Sequence, residues 1–286
     1  MYLQWIDYGL MAAGMIVVGS ALAAWRRTGW RDPLRGAPHR TNHINGVVAY
    51  LCIMVYLFSP LAAQWIAPML APESYDGKTL KMWSGIFGMN VTQIAITAFC
   101  LIMAASTFRL GIRGFGWGRL SLKLDVIYAV KGLLAIFALC GVTLIVTEWL
   151  TTLLQYDPPI HDVYTLLEKQ GTTWLVWLLT LAGAMVLAPV GEEMFFRGFL
   201  QTGLQKLLLP KWGTMHHRWF AIAASSLVFG VVHLGTPHFI PALIEMGLIL
   251  GFLYERTGSL RVTILIHAMF NTKSILWRYF ALYYGG

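Results

Sequence analysis

The feature that most constrains the fold is a series of eight apolar segments, most of them long enough to cross a lipid bilayer. They cover roughly residues 8–25, 44–67, 84–106, 125–147, 173–199, 219–234, 238–254 and 261–282. A helix crosses the hydrocarbon core with about 20 apolar residues. Only 12% of the 286 residues are charged, whereas soluble domains carry about 25%. The sequence therefore predicts an all-α, polytopic membrane helix bundle with about eight transmembrane helices.

The sixth and seventh segments are shorter than a usual span. They are expected to be tilted, to be buried by neighbouring helices, or to be joined by a re-entrant turn at LGTPHFIP. The first segment ends in AAWRRTGW, which lacks the small-residue cleavage site of a signal peptide, so a retained span is expected. The loop 149–172 contains a double proline, and the residues after it are predicted to form a short interfacial helix. Its lipid-facing residues would be Val163, Leu166 and Leu167.

The net charge of +8 lies mainly in the short loops between apolar segments. Loops 26–43, 107–124, 200–218 and 255–261 hold fourteen Lys and Arg residues, against three in the opposite loops. This is the positive-inside pattern, so the basic loops are predicted to be cytoplasmic and both termini to lie on the other side. The same distribution argues against nucleic acid as a partner. The three cysteines, Cys52, Cys100 and Cys140, lie within apolar segments and are expected to be packing residues.

The stretch GEEMFFRGFL, residues 191–200, brings charge into the fifth segment. Glu193 and Arg197 are four residues apart, so they share a helix face and can form an ion pair. Glu192 points about 100° away on the helix and is left without that partner. Pro189 removes a backbone donor nearby and is expected to kink the helix beside a cavity. The alternative is that these charges only snorkel at the cytoplasmic end of the helix.

Two further segments carry polar residues at compatible depths. SSLVFGVVHL places His233 in the sixth segment, and LIHAMFN places His267 and Asn271 on one face of the eighth. Taken singly, they could be structural residues that join helices through hydrogen bonds. Together with Glu192 they predict an intramembrane catalytic cavity. A glutamate there can act as general base on water, while histidine and asparagine can donate to an oxyanion.

Other chemistries fit the sequence less well. No cysteine accompanies the cluster, and Ser226 is seven residues from His233, about 10 Å along a helix, which is too far for proton transfer. A three-ligand zinc site of Glu192, His233 and His267 stays open as an alternative. The preferred interpretation needs neither a metal nor a cofactor. Glu245, within the seventh segment, has no assigned role and is expected to take part in helix packing.

Three motifs together resemble those of the CPBP family, which contains CAAX prenyl endopeptidases, bacteriocin-processing enzymes and the proteins called Abi. EEMFFR resembles its E-E-x-x-x-R motif, FGVVH its F-x-x-x-H motif and HAMFN its H-x-x-x-N motif, over roughly residues 173–275. The resemblance implies an intramembrane glutamate endopeptidase in which Glu192 activates water with help from His233. It implies that His267 and Asn271 stabilise the oxyanion. Glu193 and Arg197 would be a supporting ion pair.

The expected function is therefore hydrolysis of a peptide bond in a membrane-associated or lipidated peptide or protein. The competing hypothesis is a non-catalytic scaffold or immunity protein that binds a partner membrane protein, since the family includes such members. A transporter is less favoured because no inverted repeat is visible. One integrated membrane domain is predicted, with N-terminal helices over 1–172 and a catalytic core over 173–286. The short loops favour a prokaryotic cytoplasmic membrane, with lipid as a partner; the oligomeric state is not predicted.

Overall fold

The computed structural model describes residues 2–71, 73, 77–159, 174–212 and 216–284. Its longer helices are α1 (Tyr2–Arg27), α2 (Gly46–Ile66), α3 (Gly77–Thr107), α4 (Leu122–Leu153), α5 (Trp174–Ala182), α6 (Ala188–Glu193), α7 (Thr202–Trp212), α8 (His216–Val231), α9 (Ile240–Thr257) and α10 (Leu260–Tyr284). Two π-helical segments, Gly183–Leu187 and Met194–Gln201, connect α5 to α6 and α6 to α7. Within these ranges the extended pairing is limited to one isolated bridge, and the all-α class is confirmed.

Six helical stretches of the described chain are long and apolar enough to cross a membrane. They are Leu3–Arg27, Gly46–Leu70, Leu80–Thr107, Leu122–Leu153, Trp174–Leu207 and Pro237–Thr257. The chain is therefore an integral, multi-pass membrane protein. Helix α8 has only 16 residues, and α10 mixes polar and basic residues with apolar ones, so the count of eight spans stays a prediction. The predicted interfacial helix with Val163, Leu166 and Leu167 lies outside the described residues.

The ends of the helices follow local sequence signals. Asn45 caps α2 by accepting a hydrogen bond from the Val48 amide at 3.0 Å, and Ser121 caps α4 in the same way. Gly258 ends α9 with φ of 68°, a left-handed conformation that glycine adopts without a side-chain clash. Helix α8 is followed by a turn and a 3-10 segment, Pro237–Phe239, before α9 begins. The predicted sixth and seventh segments are thus two adjacent helices joined by this short connection.

Helices from both ends of the chain pack together. Helix α1 packs against α4, α2 against α3, and α8 against α9. Contacts between the two parts are also extensive, because α3 packs against α6, and α4 packs against α9 and α10. The helices before residue 173 therefore help to position those after it. The division at 172/173 stays a prediction, and the structure shows how closely its two sides are joined.

A cluster of buried phenylalanines holds the centre of the bundle. Phe196 packs edge-on against Phe229 with ring centroids 5.1 Å apart, and Phe199 lies 5.0 Å from Phe115. A Cβ on Gly198 would lie 2.1 Å from Phe115 Cζ, so this position admits only glycine without rearrangement. Large apolar side chains elsewhere, among them Ile16 and Trp65, are exposed. Such residues suit a surface that faces lipid.

The basic loops fold into a structured layer on the side predicted to be cytoplasmic. Arg40 lies 2.9 Å from Glu255 and donates to the carbonyl of Tyr254. Burial of Arg40 acts to lower its pKa, but Tyr254 and Glu255 act against this and raise the pKa above its usual value. Arg261 similarly lies 2.5 Å from the buried Asp125. These two ion pairs therefore attach the loop before α2 to α9, and α4 to α10.

Candidate active site

The candidate glutamates lie on a short α-helix between two π-helical segments. Pro189 has no amide hydrogen, and the helix before it widens so that the Ala188 amide donates to Gly183, five residues earlier. In this i to i−5 pattern the next backbone donor for the Ala184 carbonyl would be the nitrogen of Pro189, which has no hydrogen to donate. The carbonyl is instead satisfied by Asn271, whose Nδ2 donates to it at 2.8 Å. The expected kink is thus a π-helical turn, and Asn271 stabilises it from α10.

Glu193 lies in a buried ionic cluster. Its Oε2 lies 3.1 Å from Arg197 Nε, and both side chains are fully buried. The pair is in charge contact, although its angles are not those of a hydrogen bond. The Arg197 guanidinium also lies 5.0 Å from the centre of the Phe229 ring, within cation–π distance. On its other side, Glu193 Oε1 lies 3.1 Å from His267 Nδ1, so three charged or titratable groups meet here.

Glu192 is positioned differently from Glu193. Its Oε2 lies 3.9 Å from His267 Nε2 and forms no hydrogen bond with a described residue. Its Oε1 accepts a long hydrogen bond of 3.5 Å from Gln93 Nε2. The side chain keeps 12% of its surface exposed, whereas Glu193 keeps none. Glu192 is therefore the carboxylate that a bound molecule can reach.

His267 connects the two glutamates through its two ring nitrogens. Nδ1 contacts Glu193 and must donate to it, because a carboxylate only accepts. Nε2 is thereby directed towards Glu192. If both nitrogens carry hydrogen, the group of Glu192, Glu193, Arg197 and His267 has no net charge, which lowers the cost of burying it.

His233 lies in the turn just after α8, which ends at Val231, and not within the predicted sixth span. Its Nδ1 lies 2.7 Å from the carbonyl of Phe229. Because that carbonyl only accepts, Nδ1 carries the hydrogen. In the neutral ring Nε2 is then free to accept a proton or a hydrogen bond. Phe229 also packs against the His267 ring at 5.8 Å, so one residue orients both histidines.

A cavity of about 390 Å³ brings the predicted residues together. Glu192, His233, His267 and Asn271 all line it. Much of the remaining wall is apolar and is formed by Phe229, Phe239, Leu243, Met246, Phe270 and Ile275. Glu193 and Arg197 lie behind this surface. The structure thus places in one cavity four residues that are separated by up to 79 positions in the chain (192 to 271).

Gln93, on α3, is a site residue that the sequence did not indicate. It lines the cavity and contacts Glu192 through its amide group. Because the NH₂ group of Gln93 donates to the Glu192 carboxylate, the Gln93 carbonyl oxygen is buried without a partner among the described residues. A Cβ on Gly191 would lie 2.5 Å from that oxygen, so glycine at 191 permits this approach. Gln93 is one of several polar residues in α3, and nothing in the spacing of the sequence distinguishes it.

Two other expectations concern metal binding and Glu245. Among the described residues, no three His, Cys, Asp or Glu side chains are grouped as metal ligands. Glu192, His233 and His267 share the cavity without forming such a set. Glu245 accepts a hydrogen bond of 2.6 Å from Thr143 Oγ1. It joins α9 to α4, which agrees with a role in helix packing.

The fold and the cavity define a class: a polytopic helical membrane protein with two adjacent glutamates, one of which lines a cavity between the helices while the other is buried behind it. Residues 172–272 match the family model described as type II CAAX prenyl endopeptidase Rce1-like. The predicted resemblance to the CPBP family is confirmed over this region. All six predicted site residues fall within it.

One curated relative matches this chain over about two fifths of its own length. The chain is 31% identical over 126 residues to the uncharacterized protein YyaK of Bacillus subtilis (strain 168). The alignment covers 40% of this chain and 39% of that protein. No solved structure matches the chain significantly. The similarity to the family is therefore limited to the matched region, and the helices before residue 172 are described from this structure alone.

Proposed function

We propose that the protein is an intramembrane endopeptidase that uses Glu192 to activate water. The observation that carries the proposal is the cavity, which Glu192 lines together with His233, His267 and Asn271. Glu192 Oε2 is buried there and has no hydrogen-bond partner among the described residues. Buried polar atoms in proteins are rarely left unpaired, and exceptions often mark functional sites. The Rce1-like domain is CAAX protease-like and supports the same class of reaction.

A water molecule between Glu192 and Gln93 would satisfy two buried acceptors at once. Glu192 Oε2 and Gln93 Oε1 each lack a partner among the described residues. Water can donate one hydrogen to each oxygen, which leaves its lone pairs for a substrate carbonyl. Glu192 would take one proton as the oxygen attacks the carbonyl carbon. Gln93 would then orient the attacking water without exchanging a proton.

The remaining cavity residues are suited to the two later stages. When both ring nitrogens of His267 carry hydrogen, its Nε2 can donate to the oxyanion that forms on the substrate, together with the second amide hydrogen of Asn271. The proton held by Glu192 then passes to the leaving nitrogen, directly or through His233 Nε2, as the carbon–nitrogen bond breaks. Glu193 and Arg197 hold His267 in position. No covalent intermediate with the protein is needed.

The substrate class follows from the walls of the cavity. Their apolar residues favour a membrane-associated or lipidated peptide over a soluble, charged one. The excess of Lys and Arg in the basic loops supports an orientation with those loops on the cytoplasmic side. We propose a prokaryotic cytoplasmic membrane as its location.

A non-catalytic scaffold is the second candidate, and product detection separates the two. Membranes from cells that produce wild-type protein or Glu192→Gln at equal levels would be compared by mass spectrometry of new protein termini. Purified protein would then be incubated in vesicles with peptides that contain the cleaved sequence. We expect new termini with wild type and none with the variant.

Ser226→Ala is a matched control, because Ser226 is buried and, among the described residues, its hydroxyl bonds only to the Ile222 carbonyl of its own helix. It should leave the products unchanged. Identical termini in wild type and Glu192→Gln would contradict the glutamate mechanism. Partner capture by both proteins, with no new termini in either sample, would support the scaffold.

A further inference from the structure

A second, smaller cavity lies away from the glutamates, among the basic loops. It has a volume of about 80 Å³, the space of two to three water molecules. Its walls come from three parts of the chain: the loop before α2, helix α7 and the first turn of α8. The described residues that line it are Pro38, His39, Arg40, Thr41, Asn42, Thr202, Gln205, Lys206, His217 and Arg218. None of these is acidic, and five are basic or histidine.

Two of the cations have no carboxylate partner. Lys206 Nζ donates to the Asn42 carbonyl at 3.2 Å, and Arg218 donates to the Ala37 carbonyl at 3.5 Å. Neither forms an ion pair with any residue that the structure describes. Their charges are therefore uncompensated at a site that neighbouring loops hold in shape.

Arg40 adds a third cation to the wall of this cavity, although this one is paired. Its terminal nitrogens are used by Glu255 and the Tyr254 carbonyl. Its Nε is buried and has no partner in the described chain.

We propose that this pocket binds a phosphate group. Its size fits a small anion, and its donors converge from three segments on the side predicted to be cytoplasmic. Basic pockets between membrane helices on that side commonly bind lipid head groups. The phosphate would come from an anionic phospholipid or from a soluble molecule, and both would present the same charged oxygens to Lys206 and Arg218. The bound group would fasten α7 to α8 and to the loop before α2. This binding is independent of peptide cleavage.

The test compares two double variants of equal charge. Lys206→Gln with Arg218→Gln removes both cations of the pocket. Lys123→Gln with Arg113→Gln removes two exposed cations from the same side of the protein but outside the pocket. Binding of inorganic phosphate would be measured in detergent by calorimetry at constant ionic strength. Lipid binding would be measured by native mass spectrometry with phosphatidylglycerol against phosphatidylcholine.

We expect wild type and the control to bind equally, and the pocket variant to bind at least about tenfold more weakly, as for lost charge-assisted hydrogen bonds. If only phosphatidylglycerol binding is weakened in the pocket variant, the phosphate group comes from a lipid. If inorganic phosphate binding is also weakened in the pocket variant, the pocket recognises the phosphate group without a lipid. The proposal is overturned if both double variants weaken binding equally, or if neither ligand depends on Lys206 and Arg218. Single variants give the same comparison if the pocket double variant does not fold.

Discussion

Two buried carboxylates in this molecule have very different surroundings. Glu255 is fully buried, and its Oε1 accepts hydrogen bonds from Arg40, Gln201 and Gln205 at 2.7–3.0 Å. Glu192 also lies among helices, but its contacts are a 3.5 Å bond and a 3.9 Å approach. The first arrangement holds three segments of the chain together. In both carboxylates Oε2 lacks a hydrogen-bond partner among the described residues. The contacts of Oε1, and the cavity that Glu192 lines and Glu255 does not, therefore separate the structural carboxylate from the candidate catalytic one.

The largest effect should come from Glu192→Gln. The amide cannot act as a general base, so we expect cleavage to fall by about 10²–10⁴-fold. Stability should change little, because Glu192 has few close partners to lose. Cleavage rates would check the loss of activity, and thermal unfolding in detergent would check that stability is retained. If Glu192→Gln unfolded as readily as a variant that lacks Glu255, Glu192 would have a structural role like that of Glu255.

Glu255→Ala should show the opposite behaviour. Removing this carboxylate leaves Arg40 buried without its charge partner, which costs about 3–5 kcal/mol. The apparent unfolding midpoint should fall well below that of Glu192→Gln. Adding Arg40→Leu should recover part of the loss, since the unpaired charge is then gone. No recovery in the double variant would show that Arg40 is not the reason for the loss.

Gln93→Ala should have an intermediate effect on cleavage. If Gln93 orients the attacking water, kcat should fall by about 10–100-fold, while KM changes little. Thr92→Ala is the control, because Thr92 is buried beside Gln93 on the same helix but does not line the cavity. Equal rates in Gln93→Ala and Thr92→Ala would remove Gln93 from the mechanism.

Asn271→Ala should have a small effect on stability. The Ala184 carbonyl would lose its donor, and hydrogen bonds between membrane helices contribute about 1 kcal/mol. We expect a small fall in the unfolding midpoint together with a larger fall in cleavage, since the same amide group faces the cavity. A stability loss as large as that of Glu255→Ala would indicate a mainly structural role.

The sequence was sufficient for features that depend on local pattern. Apolar segments located the helices, and four-residue spacing paired Glu193 with Arg197, which lie 3.1 Å apart. Other features depend on packing between distant segments. The π-helical turn needs Asn271 to satisfy Ala184 from another helix, and spacing within a single segment cannot reveal this. Gln93 was missed for the same reason, because its importance comes from its proximity to Glu192 and not from its neighbours in the chain.

The absence of a side chain at Gly191 has a consequence for how this protein can be divided. It lets Gln93, from a helix outside the matched domain, reach a glutamate inside that domain. The Rce1-like region is therefore not a self-sufficient module. Transplanted alone onto other membrane helices, it would keep every motif residue and still lack one wall of its own cavity. If N-terminal helices were exchanged between relatives, the new helix would need a side-chain amide beside Gly191, where Gln93 lies in this protein.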